Sequence, residues 1–438
     1  MITNSRSDNV NTRNLVVDIL LAVTRDGAFS HIAIRDVLDK YRYLPKQDRA
    51  FITRLSQGTI ERMIELDAII NQFSKTKVKK MKPVIAAILR SGVYQLKYMD
   101  SVPDSAACNE AVKLTVKRGF GGLKGFVNGV MRTIARNMDQ IRYPDAEKEP
   151  VRYLSVKYSI PEWLVQRFTE QYGAEACERS LAAYLMPHPT SVQVDTDRSS
   201  VEEIIASLEQ QGITVRRNEQ VERALFLSGY EALDEIEEFE NGLLYVQDTA
   251  SMLAVELAAP KQGDHVIDVC AAPGGKSVYA VRMIGEQGHV EARDLTEYKV
   301  EMIEENIDRC RLSNMTAKVW DARVFDEAAR EKADVVIADL PCSGLGVIGT
   351  KTDIKYNASE EKIAELAALQ QEILNVVCGY VKPDGTLLYS TCTMTREENE
   401  DNVQKFLETH AGFELEQMRQ YFPYEGCDGF FMAKMHRR

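Results

Sequence analysis

Histidine and tryptophan are scarce in this chain: six and two among 438 residues. Its eight cysteines include no CxxC pair. They lie at Cys108, Cys177, Cys270, Cys310, Cys342, Cys378, Cys392 and Cys427, a scatter that supplies neither zinc-ligand spacing nor a disulfide framework. No metal is expected, and a cysteine that matters should work as a free thiol in a reducing compartment. Long apolar runs are missing as well, and none approaches the roughly 20 residues of a membrane span. The opening residues, Met1 to Val10, are polar and lack the apolar stretch of a secretory signal. A cytoplasmic location away from membranes is the expectation.

What is present is uneven charge. The net charge of −12 argues against nucleic acid as a partner. Yet residues 1–140 hold 23 Lys and Arg against 13 Asp and Glu, a net of +10, and the rest carries −22. Such asymmetry suits either a basic module that meets phosphates or a solvated helical surface. Five of the eight residues from Lys75 to Lys82 are lysine.

Periodicity divides the chain in three. Residues 1–140 read as helices: Leu15, Val16, Ile19, Leu20 and Val23 follow helical spacing, as do Val127, Val130, Met131 and Ile134. Residues 141–240 read as connecting helices and a small α/β module, with a helix after Pro161 and another over Val201–Gln210. Ser191–Val194 and Ile213–Arg216 are its strand candidates. Residues 241–438 alternate strand and helix. Strands are expected at His265–Val269, His289–Arg293, Thr316–Val319, Asp334–Ala338 and Thr386–Tyr389. That order predicts a mainly parallel sheet with ligands at the strands' carboxyl ends.

The first strand runs into Cys270-Ala271-Ala272-Pro273-Gly274-Gly275-Lys276-Ser277. Gly275-Lys276-Ser277 could end a Walker A loop, but the first glycine of that pattern falls on Cys270, and Pro273 removes a backbone donor. The dinucleotide pattern G-x-G-x-x-G is absent too. A small-residue loop without a phosphate cradle suits a nucleoside lacking phosphates, such as S-adenosylmethionine (SAM). Asp294 ends the second strand, where an acid can bind ribose hydroxyls. Asp321 follows the third and could reach the adenine.

Two cysteines stand at strand ends, in Asp339-Leu340-Pro341-Cys342-Ser343-Gly344 and in Tyr389-Ser390-Thr391-Cys392-Thr393. Cys108, Cys177, Cys310 and Cys378 are expected to be buried hydrophobes. Thr395 and Glu398 are spaced as a capping box, predicting a helix start there. A thiol beside SAM suits cytosine, whose carbon 5 becomes nucleophilic once a thiolate adds to carbon 6. Asp339 would assist at ring nitrogen 3. The competing readings are a P-loop nucleotidase and a non-catalytic RNA-binding factor.

AAPGGK, DLPCSG and YSTCT in this order resemble the RNA 5-methylcytosine methyltransferases, and the likeness extends along essentially the whole chain. Residues 1–140, with Phe126-Val127-Asn128-Gly129-Val130-Met131-Arg132, are similar to the NusB fold. Tyr245 to Ser251 resembles the opening of the catalytic domain, and Asp428 to Lys434 its last strand. The resemblance implies an all-α NusB-like RNA-binding domain (1–140), a connecting region (141–240) and a Rossmann-like α/β SAM methyltransferase domain (241–438). It implies Cys392 as nucleophile, Cys342 in product release, and Asp339 in both catalysis and cofactor binding. Cys270, Ala271, Ala272, Pro273, Gly274, Gly275, Lys276, Asp294 and Asp321 are the other implied SAM positions. The implied substrate is a cytosine of 16S ribosomal RNA before the subunit is fully assembled, and the implied state a monomer. Leu340 departs from the alanine commoner in that family, and Gln193 and Asp195 depart from its Arg and Asn.

Overall fold

The computed structural model describes residues 10–438, so the polar opening segment lies almost wholly outside the described residues. The chain forms two compact units. One runs to Leu185 and also takes in Thr350–Asn357, while the other comprises Met186–Gly349 and Ala358–Arg438. Among the described residues no helix is long and apolar enough to cross a membrane.

The first unit is helical, as the 3.6-residue spacing predicts. Thr12–Thr24 buries Leu15, Val16, Ile19, Leu20 and Val23, and the Asn11 side chain caps its start at Asn14 N. Lys124–Arg136 buries Val127, Val130, Met131 and Ile134, leaving Arg132 and Arg136 exposed. The lysine-rich loop is pinned by buried Val78, whose N–H donates to Asn71 Oδ1 at 2.8 Å, and all five of its lysines face solvent. Thr350–Asn357 is fastened here as a strap. Ser30 donates from backbone and hydroxyl to the Asp353 carboxylate, and Lys355 Nζ donates to Glu61 O at 2.7 Å.

The second unit holds two sheets. Strands β1 (Thr190–Val194), β2 (Thr214–Arg217), β3 (Ala224–Ser228) and β4 (Leu244–Val246) form an antiparallel sheet of order β2-β3-β1-β4. The helix Val201–Gln210 packs its Val201, Ile204 and Leu208 on one face of it. Seven strands form the larger sheet: β5 (His265–Asp268), β6 (His289–Asp294), β7 (Met315–Val319), β8 (Ala333–Asp339), β9 (Val381–Thr391), β10 (Phe413–Tyr421) and β11 (Phe430–Arg437). Their order is β10-β11-β9-β8-β5-β6-β7. β5 to β9 pair in parallel, whereas β11 pairs antiparallel with both β9 and β10. Because β5 lies between β6 and β8, the chain reverses its winding at β5, and a crevice opens at the carboxyl ends of β5 and β8.

Candidate active site

That crevice receives the loop after β5. Gly274 has φ +109°, a left-handed conformation open to glycine, and its N–H closes the turn onto Ala271 O at 2.7 Å. The helix Gly275–Ile284 follows. A cleft of about 180 Å³ lies against the loop, lined by Cys270, Ala271, Ala272, Pro273, Gly275, Lys276 and Asp339. Tyr245, Gln247, Asp248, Ser251 and Asp268 complete much of the wall. Motif spacing alone points to none of these five, although Tyr245 to Ser251 is the segment that resembles the opening of a catalytic domain.

Asp294 is not part of that lining. It is buried against the loop, where Oδ2 accepts from Ala272 N at 3.0 Å and Oδ1 from Leu295 N at 2.7 Å. Asp321 is likewise absent from the lining, and its carboxylate accepts from Arg323 N, Nε and Nη2 at 2.7–3.0 Å. Those bonds, led by the Arg323 side chain, hold its pKa below the usual carboxylate value.

The lining favours a cationic guest over a phosphate. It carries three carboxylates, of Asp248, Asp268 and Asp339, against one ammonium, Lys276. Asp268 is wholly buried. Its Oδ2 accepts from Ser277 Oγ at 2.7 Å, and Oδ1 has no hydrogen-bond partner of good geometry among the described residues. Burial pushes its pKa up to about 7. SAM carries a sulfonium and an ammonium and no phosphate, so these residues fit it. Lys276 Nζ lies 2.7 Å from Asp339 Oδ2 and 5.1 Å from the centre of the Phe430 ring. Burial pulls the Lys276 pKa down, but the Asp339 carboxylate together with Asp268 and Cys392 outweighs it and the net shift is upward. Asp339 Oδ1 accepts from Ser390 Oγ at 2.7 Å.

β8 and β9 are parallel neighbours with Asp339 opposite Ser390, which brings the next few residues of each chain together. Cys342 Sγ and Cys392 Sγ lie 3.2 Å apart. Both are partly exposed, like Cys270, and the other five cysteines are buried. The loops are locked by Gly346 N donating to Cys392 O and Gly429 N donating to Gly346 O, each at 3.0 Å. A Cβ on Gly346 would meet Gly429 O at 1.7 Å, so this approach needs two glycines. The hydrogen bond to Cys392, then burial, holds the Cys342 thiol well above its ordinary pKa.

The capping-box expectation fails here, and two departures from the family pattern find buried places. The helix after Cys392 starts at Glu400, and Glu398 does not cap it. Its carboxylate is drawn instead to the Cys342 loop, accepting from Ser343 N at 2.8 Å. Leu340 is buried in the core with Val336 and Tyr389, so its extra bulk is spent on packing. Gln193 is fully buried: it donates to Gln247 Oε1 at 2.7 Å and to Gly275 O at 3.2 Å, and accepts from Arg282 Nη1 at 2.8 Å. It ties the small sheet to the cofactor loop.

Sheet order, the small-residue loop and the acid-lined cleft place the chain among the SAM-dependent methyltransferases. Residues 255–436 match the family described as 16S rRNA methyltransferase RsmB/F. Residues 10–136 match the NusB family, and 160–233 the ferredoxin-like domain of RsmF/B-like methyltransferases. A probable ribosomal RNA small subunit methyltransferase B of Bacillus subtilis is 35% identical, with 97% of this chain and 98% of that one covered. The ribosomal RNA small subunit methyltransferase B of Proteus mirabilis is 31% identical over 90% and 91%. The crystal structure of PH0851 is 26% identical, with TM-score 0.81 over 99% of this chain and 100% of that one. The chain belongs to the RsmB family of 16S rRNA methyltransferases.

Proposed function

We propose that this enzyme methylates carbon 5 of one cytosine in 16S ribosomal RNA through a covalent bond between Cys392 and carbon 6. The observation that carries the reading is the pair of thiols, 3.2 Å apart, next to the Lys276–Asp339 ion pair at the edge of the acid-lined cleft. A methyltransferase acting on a nucleophilic nitrogen or oxygen has no need of two thiols there.

SAM, when bound, supplies the methyl group as a sulfonium electrophile. It would be held by Cys270 to Lys276, with Asp268, Asp294 and Asp321 as further partners. The chain's own residues do the rest. The target base leaves its stack to enter the site. The Cys392 thiolate adds to carbon 6, and the electron pair released makes carbon 5 nucleophilic. Charge builds on ring nitrogen 3, where Asp339 assists with a proton drawn from the Lys276 ammonium it already contacts. After transfer, carbon 5 gives up its proton to water, nitrogen 3 returns its own to the Asp339–Lys276 pair, the double bond re-forms, and the carbon 6–sulfur bond breaks with its electron pair going back to Cys392 as thiolate. The Cys342 thiol stands beside the departing sulfur and serves product release.

Residues 1–140 are read as the part that gathers RNA, 141–240 as the connection and 241–438 as the catalytic part. The substrate would be 16S RNA before subunit assembly closes off the cytosine, met by a monomeric enzyme in the cytoplasm. The test is methylation of 16S rRNA with labelled SAM. Cys392→Ala should incorporate no label at carbon 5 yet retain SAM in equilibrium dialysis. Undiminished turnover in that variant would sink the covalent route.

A further inference from the structure

One buried carboxylate near the cysteines has no part in these steps. Glu398 is fully buried. It accepts from Ser343 N at 2.8 Å, Ser343 Oγ at 2.6 Å, Thr395 Oγ1 at 2.6 Å and Gln370 Nε2 at 3.2 Å. Each of these four groups can donate to the carboxylate. Two of the four come from Ser343, the residue after Cys342. Ser343 Oγ also lies 2.7 Å from Thr393 Oγ1, the residue after Cys392. One carboxylate thus holds, directly or through one hydroxyl, the neighbour of each cysteine. Its own backbone is fixed in turn, since the Tyr389 hydroxyl donates to Glu398 O.

We propose that Glu398 is the positioning residue of the cysteine pair. It clamps the Cys342 loop so that this thiol faces Cys392, and its buried negative charge keeps the shared proton on Cys342. Cys392 is then the thiol that ionises, its own proton leaving to solvent water.

Charge is arranged asymmetrically about the pair. Cys342 is raised by its hydrogen bond to Cys392, by burial, by the charge on Cys392 and then by Glu398. Lys276 is a cation that interacts with Cys392: burial lowers its pKa, while Asp339, Asp268 and then Cys392 hold the ammonium up. Asp339 from β8 and Tyr389 from β9 also face the site, but Asp339 is paired with Lys276, and Tyr389 stays a neutral phenol because burial raises it well above its ordinary pKa. The remaining bias, negative behind Cys342 and positive near Cys392, favours one proton arrangement over its reverse.

The inference rests on the covalent reading but is tested without RNA. Full-length protein is treated with iodoacetamide across pH, and alkylation of each cysteine is followed by peptide mass spectrometry. In the native protein Cys392 should react ahead of Cys342 near neutral pH; the reverse order overturns the proposal. Glu398→Gln keeps the shape and the acceptor for Ser343 N but removes the charge. Its Cys342 profile should move down by about half a pH unit, roughly a threefold gain in thiolate below the midpoint. Superimposable profiles would show a merely structural glutamate. Should Glu398→Gln fail to fold by circular dichroism, Ser343→Ala decides the clamp: Cys342 should react a few-fold faster at every pH, and an unchanged rate refutes it. Failure of the covalent reading itself shows elsewhere, as methyl transfer by Cys392→Ala.

Discussion

Cys342 and Cys392 meet at 3.2 Å although 50 residues separate them, because β8 and β9 are parallel neighbours that release their chains at the same level. Neither sulfur is interchangeable with the other. One has the Glu398-bound serine at its back, and the other has Lys276 within electrostatic reach.

Loss of Cys342 should therefore stall the reaction after transfer. Cys342→Ala is expected to accumulate protein joined to RNA, migrating as a single slow species on a denaturing gel. RNA running free in that lane would remove Cys342 from product release.

Asp339→Asn should leave the fold intact and slow turnover by about 100-fold, in line with removal of a charged group aimed at a developing charge. SAM affinity, measured by calorimetry, should change far less. A loss confined to SAM binding would recast Asp339 as a cofactor ligand only.

Asp268 sets a pH dependence. Its folded pKa is raised to about 7 from 3.8, so the folded state holds a proton that the unfolded chain has lost. Stability therefore falls as pH rises between those values, because the unfolded state binds fewer protons there. Asp268→Asn should flatten that slope and raise the melting temperature at mildly alkaline pH, while weakening SAM binding. An unaltered slope of melting temperature against pH would refute the assignment.

Gly346→Ala tests the locked loops. A methyl group 1.7 Å from Gly429 O cannot be accommodated by a side-chain movement, since the neighbour is backbone. Destabilisation of about 1–3 kcal/mol is expected in urea melts, as for other overpacked positions. Methyl transfer should fall more than stability does, because the displaced segment carries Cys392 O.

Reversing charge in the lysine loop, for example at Lys79 and Lys80, should weaken RNA binding and flatten its dependence on salt. Both side chains are exposed, so the fold should survive. Equal affinity at low and high salt in native and altered protein would leave the loop without a role in RNA binding.

Much of the architecture was legible because it follows period and strand-end chemistry. The five parallel strands were found as short apolar runs, and the helix Val201–Gln210 emerged with its observed bounds. β10 escaped because it is an edge strand: Glu414, Glu416, Gln417 and Arg419 dilute its apolar residues, and a register shift between Leu415 and Gln417 breaks the alternation. β3 and β4 are only five and three residues long. At the site, Cys270 to Lys276 and the two cysteines stood out as local words. Glu398 was misread since Thr395 and Glu398 have capping-box spacing, while the partner that claims the carboxylate, Ser343, is 55 residues away. Gln193 and Arg282 illustrate the same limit, as a hydrogen-bonded pair 89 positions apart.

The last strand has a bearing on how the enzyme is made. β11 is inserted between β9 and β10, Phe430 lies under the Lys276 ammonium, and Asp428 N donates to Asp248 Oδ2 across 180 residues. A ribosome that has already released the cofactor loop, both cysteines and Glu398 has still not delivered the ring beneath Lys276. Until residues 428–437 emerge and pair, the nascent chain carries all its reactive groups without a finished place to use them.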